Sequence, residues 1–267
     1  MIPMSTPWTA PRIRAAKGKQ RLAMLTAYDA TTARLMDEAG LPMILVGDSL
    51  GMTALGYANT LPVTLEQILH HTAAVVRGVK SAMVITDLPF LTYQVSLERA
   101  LESAGRCLKE AGAAAVKIEG GAFRAPVVRA LVENGIPVLG HIGLLPQSVH
   151  AMGGFRVQGR TAEDAARLIE DARALDEAGV FALVLEGMPA DVAKQITAAV
   201  TMPTIGIGAG PHCDGQVLVI NDLLGLTEKP PKFAKAYVDV RGAMQKAIAG
   251  YKADVEGGTF PGPEHCY

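Results

Sequence analysis

Short apolar runs alternate with longer amphipathic stretches along most of the chain. The runs 22–27 (LAMLTA), 43–46 (MILV), 82–86 (AMVIT), 114–118 (AAVKI), 180–185 (VFALVL), 204–207 (TIGI) and 216–220 (QVLVI) are too short for helices. Bounded by Gly or polar residues, they read as strands buried on both faces, as in a parallel sheet. A further strand is expected at 137–139, ended by Gly140 and His141. Between them, 30–39, 65–80, 96–111, 125–134, 161–178 and 190–200 carry helical patterns, and a last helix is expected over roughly 232–250. Gly40, Gly112, Gly135 and Gly179 follow helices in the C-terminal cap position, and Thr64 with Gln67 forms a capping box that opens the helix at 65. Strand and helix alternate about eight times, which predicts an α/β fold, a (β/α)8 TIM barrel. The expected organisation is one domain over 1–267, with an N-terminal lead-in at 1–20 and a tail at 252–267. A doubly wound sheet would call for a tight G-x-G-x-x-G turn after the first strand, where Tyr28-Asp29-Ala30 stands instead.

Composition narrows the function classes. The chain of 267 residues has a net charge of −1, so no global field draws it to nucleic acid. No apolar run approaches the ~18 residues needed to span a bilayer, so no membrane partner is expected. Cys107, Cys213 and Cys266 are scattered and odd in number, which suits a reducing cytoplasm better than a disulfide framework. Arg12, Arg14, Lys17, Lys19 and Arg21 precede the first acidic residue, Asp29, and read as a short basic lead-in helix.

The chemistry collects at strand ends. Asp48 and Ser49 follow 43–46, beneath a long Gly-dotted segment that reaches Thr64; Asp87 ends the third strand. Lys117 and Glu119 end the fourth and lie two apart, so both point into the barrel mouth. His141 and Glu186 follow the fifth and sixth strands. In a barrel these positions share the C-terminal rim, where barrel enzymes place their chemistry. Asp48, Asp87 and Glu119 form an all-oxygen set suited to Mg²⁺, which can chelate a small 2-oxo acid and favour loss of the neighbouring C–H proton. Ser49 and Lys117 would hold the substrate carboxylate, and Glu186, the spare acid, would take the proton. His141 is either a structural residue or a substrate hydrogen-bonding partner. His70 and His71 are adjacent on a helix and face different sides, which makes a zinc site a weak rival. GIGAGPHCDG after the seventh strand is either a phosphate-binding turn or a turn that lets backbone pack closely.

GDSLGMTALGY with TLPVT, then TDLPF, AVKIEGG, GHIGLLPQSV, LVLEG, IGIGAGPHCDGQVLV and the ending FPGPEHCY together resemble the ketopantoate hydroxymethyltransferase family, from about Leu22 to Leu226. The resemblance implies a (β/α)8 barrel that transfers a hydroxymethyl group from 5,10-methylenetetrahydrofolate to 3-methyl-2-oxobutanoate, giving 2-dehydropantoate in pantothenate biosynthesis. It implies a magnesium site at Asp48, Asp87 and Glu119, with oxo-acid binding by Ser49 and Lys117. It assigns proton abstraction to Glu186 and places His141 in the substrate pocket. It also implies a large homo-oligomer, typically a decamer. LTYQVS after TDLPF and Tyr57-Ala58-Asn59 depart from the family pattern and bear only on folate contacts. Magnesium-dependent barrels that cleave 2-oxo acids would share the rim acids, but their catalytic Cys or K-K-C-G-H loop does not appear here. A barrel kept only as an assembly subunit would have lost the rim residues, which are all present.

Overall fold

The computed structural model describes residues 6–267. Eight parallel strands close into a barrel in sequence order: β1 (Leu22–Thr26), β2 (Met43–Val46), β3 (Met83–Asp87), β4 (Ala115–Glu119), β5 (Val138–Gly143), β6 (Ala182–Glu186), β7 (Thr204–Ile207) and β8 (Gly215–Leu218), with β8 pairing back onto β1. In the order of the chain the α-helices are α1 (Ala10–Arg14), α2 (Ala30–Glu38), α3 (Leu50–Thr53), α4 (Leu65–Gly78), α5 (Leu97–Lys109), α6 (Ala125–Glu133), α7 (Ala162–Ala178), α8 (Ala190–Ala199), α9 (Ile220–Leu223) and α10 (Val240–Glu256). The expected barrel is borne out. So is the capping box of α4: Gln67 donates its backbone N–H to the Thr64 hydroxyl, and the Gln67 side chain accepts from the Thr64 N–H.

Strand alternation sorts the apolar residues into two layers. Met24, Met43, Leu45, Met83, Ile85, Leu139, Val184, Ile205 and Val217 fill the barrel interior. Residues of opposite parity, such as Val116, Ile118 and Leu183, pack outward against Ala104, Val128, Leu131, Leu175 and Ile196 of the helices. The basic lead-in takes a specific post. Ile13 of α1, fully buried, joins the interior cluster beside Leu22, Met43 and Met83, each the first residue of its strand. α1 therefore stoppers the barrel floor. Arg14 and, in the turn that follows, Lys17 fasten it there: Arg14 reaches the Asp176 carboxylate (3.0 Å) and the Val180 carbonyl, and Lys17 reaches Asp214 (2.8 Å) and the Thr197 carbonyl.

Two expectations need correction, and one alternative is narrowed. β5 does not end at Leu139; it runs through Gly140 and His141 to Gly143, paired with β4 and β6 along its length. No helix separates β7 from β8. As expected, the GIGAGPHCDG segment links the two strands directly, and a Cβ at Gly210 would stand 2.5 Å from the Ala190 Cβ. Close packing accounts for Gly210, and no helix N-terminus follows the turn to favour the phosphate-binding alternative. The last helix begins at Val240 and ends at Glu256, later than expected at both ends.

The chain divides into two compact units, 1–219 and 220–267. The first contains the barrel. The second holds α9 and α10, joined by hydrogen bonds from Tyr237 N–H to the Leu223 carbonyl and from Val240 N–H to the Leu224 carbonyl. No helix among the described residues is long and apolar enough to cross a membrane.

Candidate active site

Strand register places the polar residues side by side. Asp87 lies opposite Lys117, Glu119 opposite His141, and Gly143 opposite Glu186, so side chains of the same parity turn inward together at the mouth. A cavity of about 110 Å³ opens there, lined by Asp48, Ser49, Asp87, Lys117, Glu119, His141 and Glu186, all seven residues singled out in the sequence. Its apolar wall is Leu45, Val184, Ile207 and Val217. One glycine is needed to build it: Gly143, at φ +98°, would bring a Cβ within 2.2 Å of the Glu186 carbonyl. Its absence lets Leu144 N–H bond that carbonyl at 2.8 Å and hold the end of β6.

The ionisable groups contact one another directly. Lys117 Nζ lies 2.5 Å from Asp87 Oδ1 and 3.5 Å from His141 Nδ1. His141 stands between two acids, with Nδ1 3.6 Å from Glu119 Oε1 and Nε2 3.1 Å from Glu186 Oε2. Asp48 N–H donates to Asp87 Oδ2 at 2.9 Å. Ser49 Oγ shares a 2.9 Å hydrogen bond with the Tyr28 hydroxyl, which also accepts from Thr26. Sequence reading missed Tyr28, Tyr93 and Gln147. Tyr93 OH accepts from the Glu119 N–H and lies within reach of the Gln147 side chain, while Gln147 donates to Asp48 and Glu119. GHIGLLPQSV contains Gln147, and LTYQVS, read as bearing only on folate contacts, contains Tyr93, which instead holds the Glu119 backbone and the Gln147 amide.

Burial and crowding set the protonation states. Burial, then the charges of Asp87 and Glu119, push the Asp48 carboxyl well above its usual range, against Lys117 and the Gln147 amide. Burial raises Asp87 too, though Lys117 opposes it. Burial and the Lys117 charge disfavour the His141 imidazolium, yet Glu119 and Glu186 carry its pKa up to about 9. The folded chain thus binds a proton at His141 that the unfolded chain releases near 6.5. That stability is fully present below 6.5 and is lost as pH rises through about 9, a contribution of at most about 3 kcal/mol. With EDTA present, the thermal midpoint is expected to fall between pH 6.5 and 9; a midpoint that holds or rises would contradict it.

The donor chemistry fits a hard divalent cation. Four buried or half-buried carboxylates face two cationic side chains, leaving negative charge uncompensated. Glu119 Oε1 is buried without a hydrogen-bond donor, and every candidate ligand is an oxygen. Among the described residues, no three His, Cys, Asp or Glu side chains are already drawn together as a ligand group. His70 and His71 meet edge to face, and His71 Nδ1 is engaged by the Tyr28 carbonyl at 2.7 Å, so among the described residues no third ligand joins them.

A family model described as ketopantoate hydroxymethyltransferase matches residues 7–263. Relatives named 3-methyl-2-oxobutanoate hydroxymethyltransferase include one from Syntrophobacter fumaroxidans, 57% identical over 96% of this chain and 92% of its own. Another, from Moorella thermoacetica, is 55% identical over 97% of each chain. Solved structures are similar in fold. A 2,3-dimethylmalate lyase of the PEP mutase/isocitrate lyase superfamily gives a TM-score of 0.64 at 18% identity, covering 92% of this chain and 85% of that one. A phosphoenolpyruvate phosphomutase from Streptomyces platensis subsp. rosaceus gives 0.62 at 15%, covering 94% and 88%. At that identity the likeness concerns the barrel alone. Sequence, over nearly the full length, makes the closer assignment: the chain belongs to the ketopantoate hydroxymethyltransferase family.

Proposed function

We propose that this chain transfers a hydroxymethyl group from 5,10-methylenetetrahydrofolate to 3-methyl-2-oxobutanoate, giving 2-dehydropantoate for pantothenate biosynthesis. The observation that carries the reading is that Asp48, Ser49, Asp87, Lys117, Glu119, His141 and Glu186 line one cavity. Its apolar wall of Leu45, Val184, Ile207 and Val217 suits a branched alkyl group, and its polar end suits a 2-oxo carboxylate.

Asp48, Asp87 and Glu119 are the residues that would hold Mg²⁺. When bound, the ion would withdraw electrons from the 2-oxo group and acidify the neighbouring C–H. Lys117 and Ser49 offer an ammonium and a hydroxyl to the substrate carboxylate. Glu186 takes the proton as the C3–H bond breaks, and the electron pair left on C3 forms the new bond to the one-carbon unit. The two bonds of that unit to the folate nitrogens break as water supplies the hydroxyl oxygen and tetrahydrofolate leaves. His141, held as imidazolium between Glu119 and Glu186, keeps the base in place.

The test is proton–deuterium exchange at C3 of 3-methyl-2-oxobutanoate in D₂O, followed by NMR with and without Mg²⁺ and with no folate added. Metal-dependent loss of the C3 proton signal is expected. Should there be none, and no product after 5,10-methylenetetrahydrofolate is added, the assigned reaction is wrong.

A homo-oligomer, decameric by the family resemblance, is part of the same reading. α10 supports it: none of its residues is buried, and Met244, Ile248, Tyr251 and Val255 are apolar, at least 46% exposed, and spaced four, three and four apart. Sedimentation velocity should return one species many times the 28.0 kDa chain mass. A monomer at all concentrations would reject it.

A further inference from the structure

We propose that Gln147 is a positioning residue that presents the metal-binding carboxylates by occupying one oxygen of each of two of them. This rests on the reading of Asp48, Asp87 and Glu119 as a magnesium site. Gln147 lies in a 3₁₀ turn, Pro146–Ser148, just past the end of β5, and is only 4% exposed. A carboxamide buried that deeply must use its donors and acceptors, and this one uses them all. Its Nε2 donates to Asp48 Oδ2 and to the Leu88 carbonyl, each at 2.9 Å. Its Oε1 accepts from the Tyr93 hydroxyl at 2.9 Å and from Gln94 Nε2 at 3.2 Å. Turning the amide over would set its oxygen against two acceptors, so the four partners fix its orientation. Its backbone N–H donates to Glu119 Oε2 at 3.0 Å. One residue therefore touches Asp48 after β2, the backbone next to Asp87 after β3, and Glu119 at the end of β4.

Of the carboxylates it touches, it occupies Asp48 Oδ2 and Glu119 Oε2. Glu119 Oε1 is buried without a hydrogen bond and faces the His141 ring 3.6 Å away. The chemistry at position 147 also requires neutrality. A Lys or Arg there would compensate the acids and compete with a divalent cation, and a carboxylate would add to the repulsion that already raises Asp48. A neutral amide orients the oxygens and leaves their charge in place. Partners of this kind, hydrogen-bonded to the ligating groups, typically govern metal affinity by about 10- to 100-fold.

The experiment measures Mn²⁺ binding to the full-length, metal-free protein by the EPR signal of free Mn²⁺, with no substrate present. Gln147→Met keeps length and volume and removes the amide; its Mn²⁺ affinity is expected to be about 10- to 100-fold weaker than wild type. Gln94→Leu removes a donor that orients the amide without touching the acids, and a weaker loss of the same sign is expected. This variant decides the matter if Gln147→Met fails to fold by circular dichroism. A merely structural role would lower the thermal midpoint of the folded variants and leave their Mn²⁺ affinity unmoved. Wild-type binding with both folded variants within twofold of it overturns the role of Gln147 alone. A wild type that binds no Mn²⁺ overturns the magnesium reading and this inference with it.

Discussion

Replacing Glu186 with glutamine is expected to abolish measurable C3 proton exchange of 3-methyl-2-oxobutanoate and to lower turnover by about 10²- to 10⁴-fold, the range for a positioned general base. The magnitude follows from how the site divides its acids. Asp48 is bound to Gln147, Asp87 to Lys117 and to the Asp48 N–H, and Glu119 to the Gln147 N–H. Among the described residues Glu186 has His141 as its one side-chain ion-pair partner, and its side chain is 16% exposed against 2–3% for His141, Asp87 and Glu119. It is the acid with room to accept a proton. Glutamine preserves the shape and can still accept a hydrogen bond from His141 Nε2, so oxo-acid affinity by calorimetry should change by less than about threefold. Exchange at the wild-type rate in Glu186→Gln would assign the base elsewhere.

Lys117→Met carries the largest expected effect on stability. The ammonium is 6% exposed and 2.5 Å from Asp87 Oδ1, an oxygen with no other hydrogen-bond partner. Burial lowers the lysine pKa, but the charges of Asp87, Glu119 and Asp48 outweigh it and hold the ammonium protonated. Removing one member of such a buried pair typically costs about 3–5 kcal/mol, because the remaining charge is left without compensation. For a chain of this size each 3 kcal/mol is roughly 6–12 °C in thermal midpoint. The sign with pH is fixed by Asp87, whose folded pKa is already raised and would rise further without the lysine. Below that pKa the acid is neutral and the loss is small; above it the loss is complete. Thermal midpoints compared at pH 5.5 and pH 8 should therefore show a larger deficit at pH 8. A variant within 1 °C of wild type at both values would rule out the ion pair as a stabilising contact.

The barrel was legible because parallel strands buried on both faces must be short and apolar, and because glycine marks where helices stop. β2 and β6 needed little more than Met43-Ile44-Leu45-Val46 and Ala182-Leu183-Val184-Leu185. The site was legible to the extent that polar residues had no reason to interrupt such runs: Lys117 inside β4 has no structural excuse. β5 was cut short for the opposite reason. Gly140 and His141 read as breakers, whereas Gly140 leaves space beneath Leu183 and His141 is held in the strand by Glu119 and Glu186, partners remote in sequence. The role of Gln147, though the residue sits in the GHIGLLPQSV motif, was hidden on the same ground. Its Asp48 partner is 99 residues away, and no local pattern encodes such a bond. The later start of α10 had no boundary signal either, since 228–239 is rich in Lys and Pro without a clear break before Asp239 caps the helix.

With its interior packed by apolar side chains from Met24 to Val217 and Ile13 closing the floor beneath them, the barrel is, among the described residues, a blind bore. Solvent and solute have to pass one another in a single throat, since there is no rear exit through which displaced water can drain. Whatever reaches Lys117 must go in before anything seated above it and come out after. Loading order is thereby imposed by plumbing, before any affinity is compared.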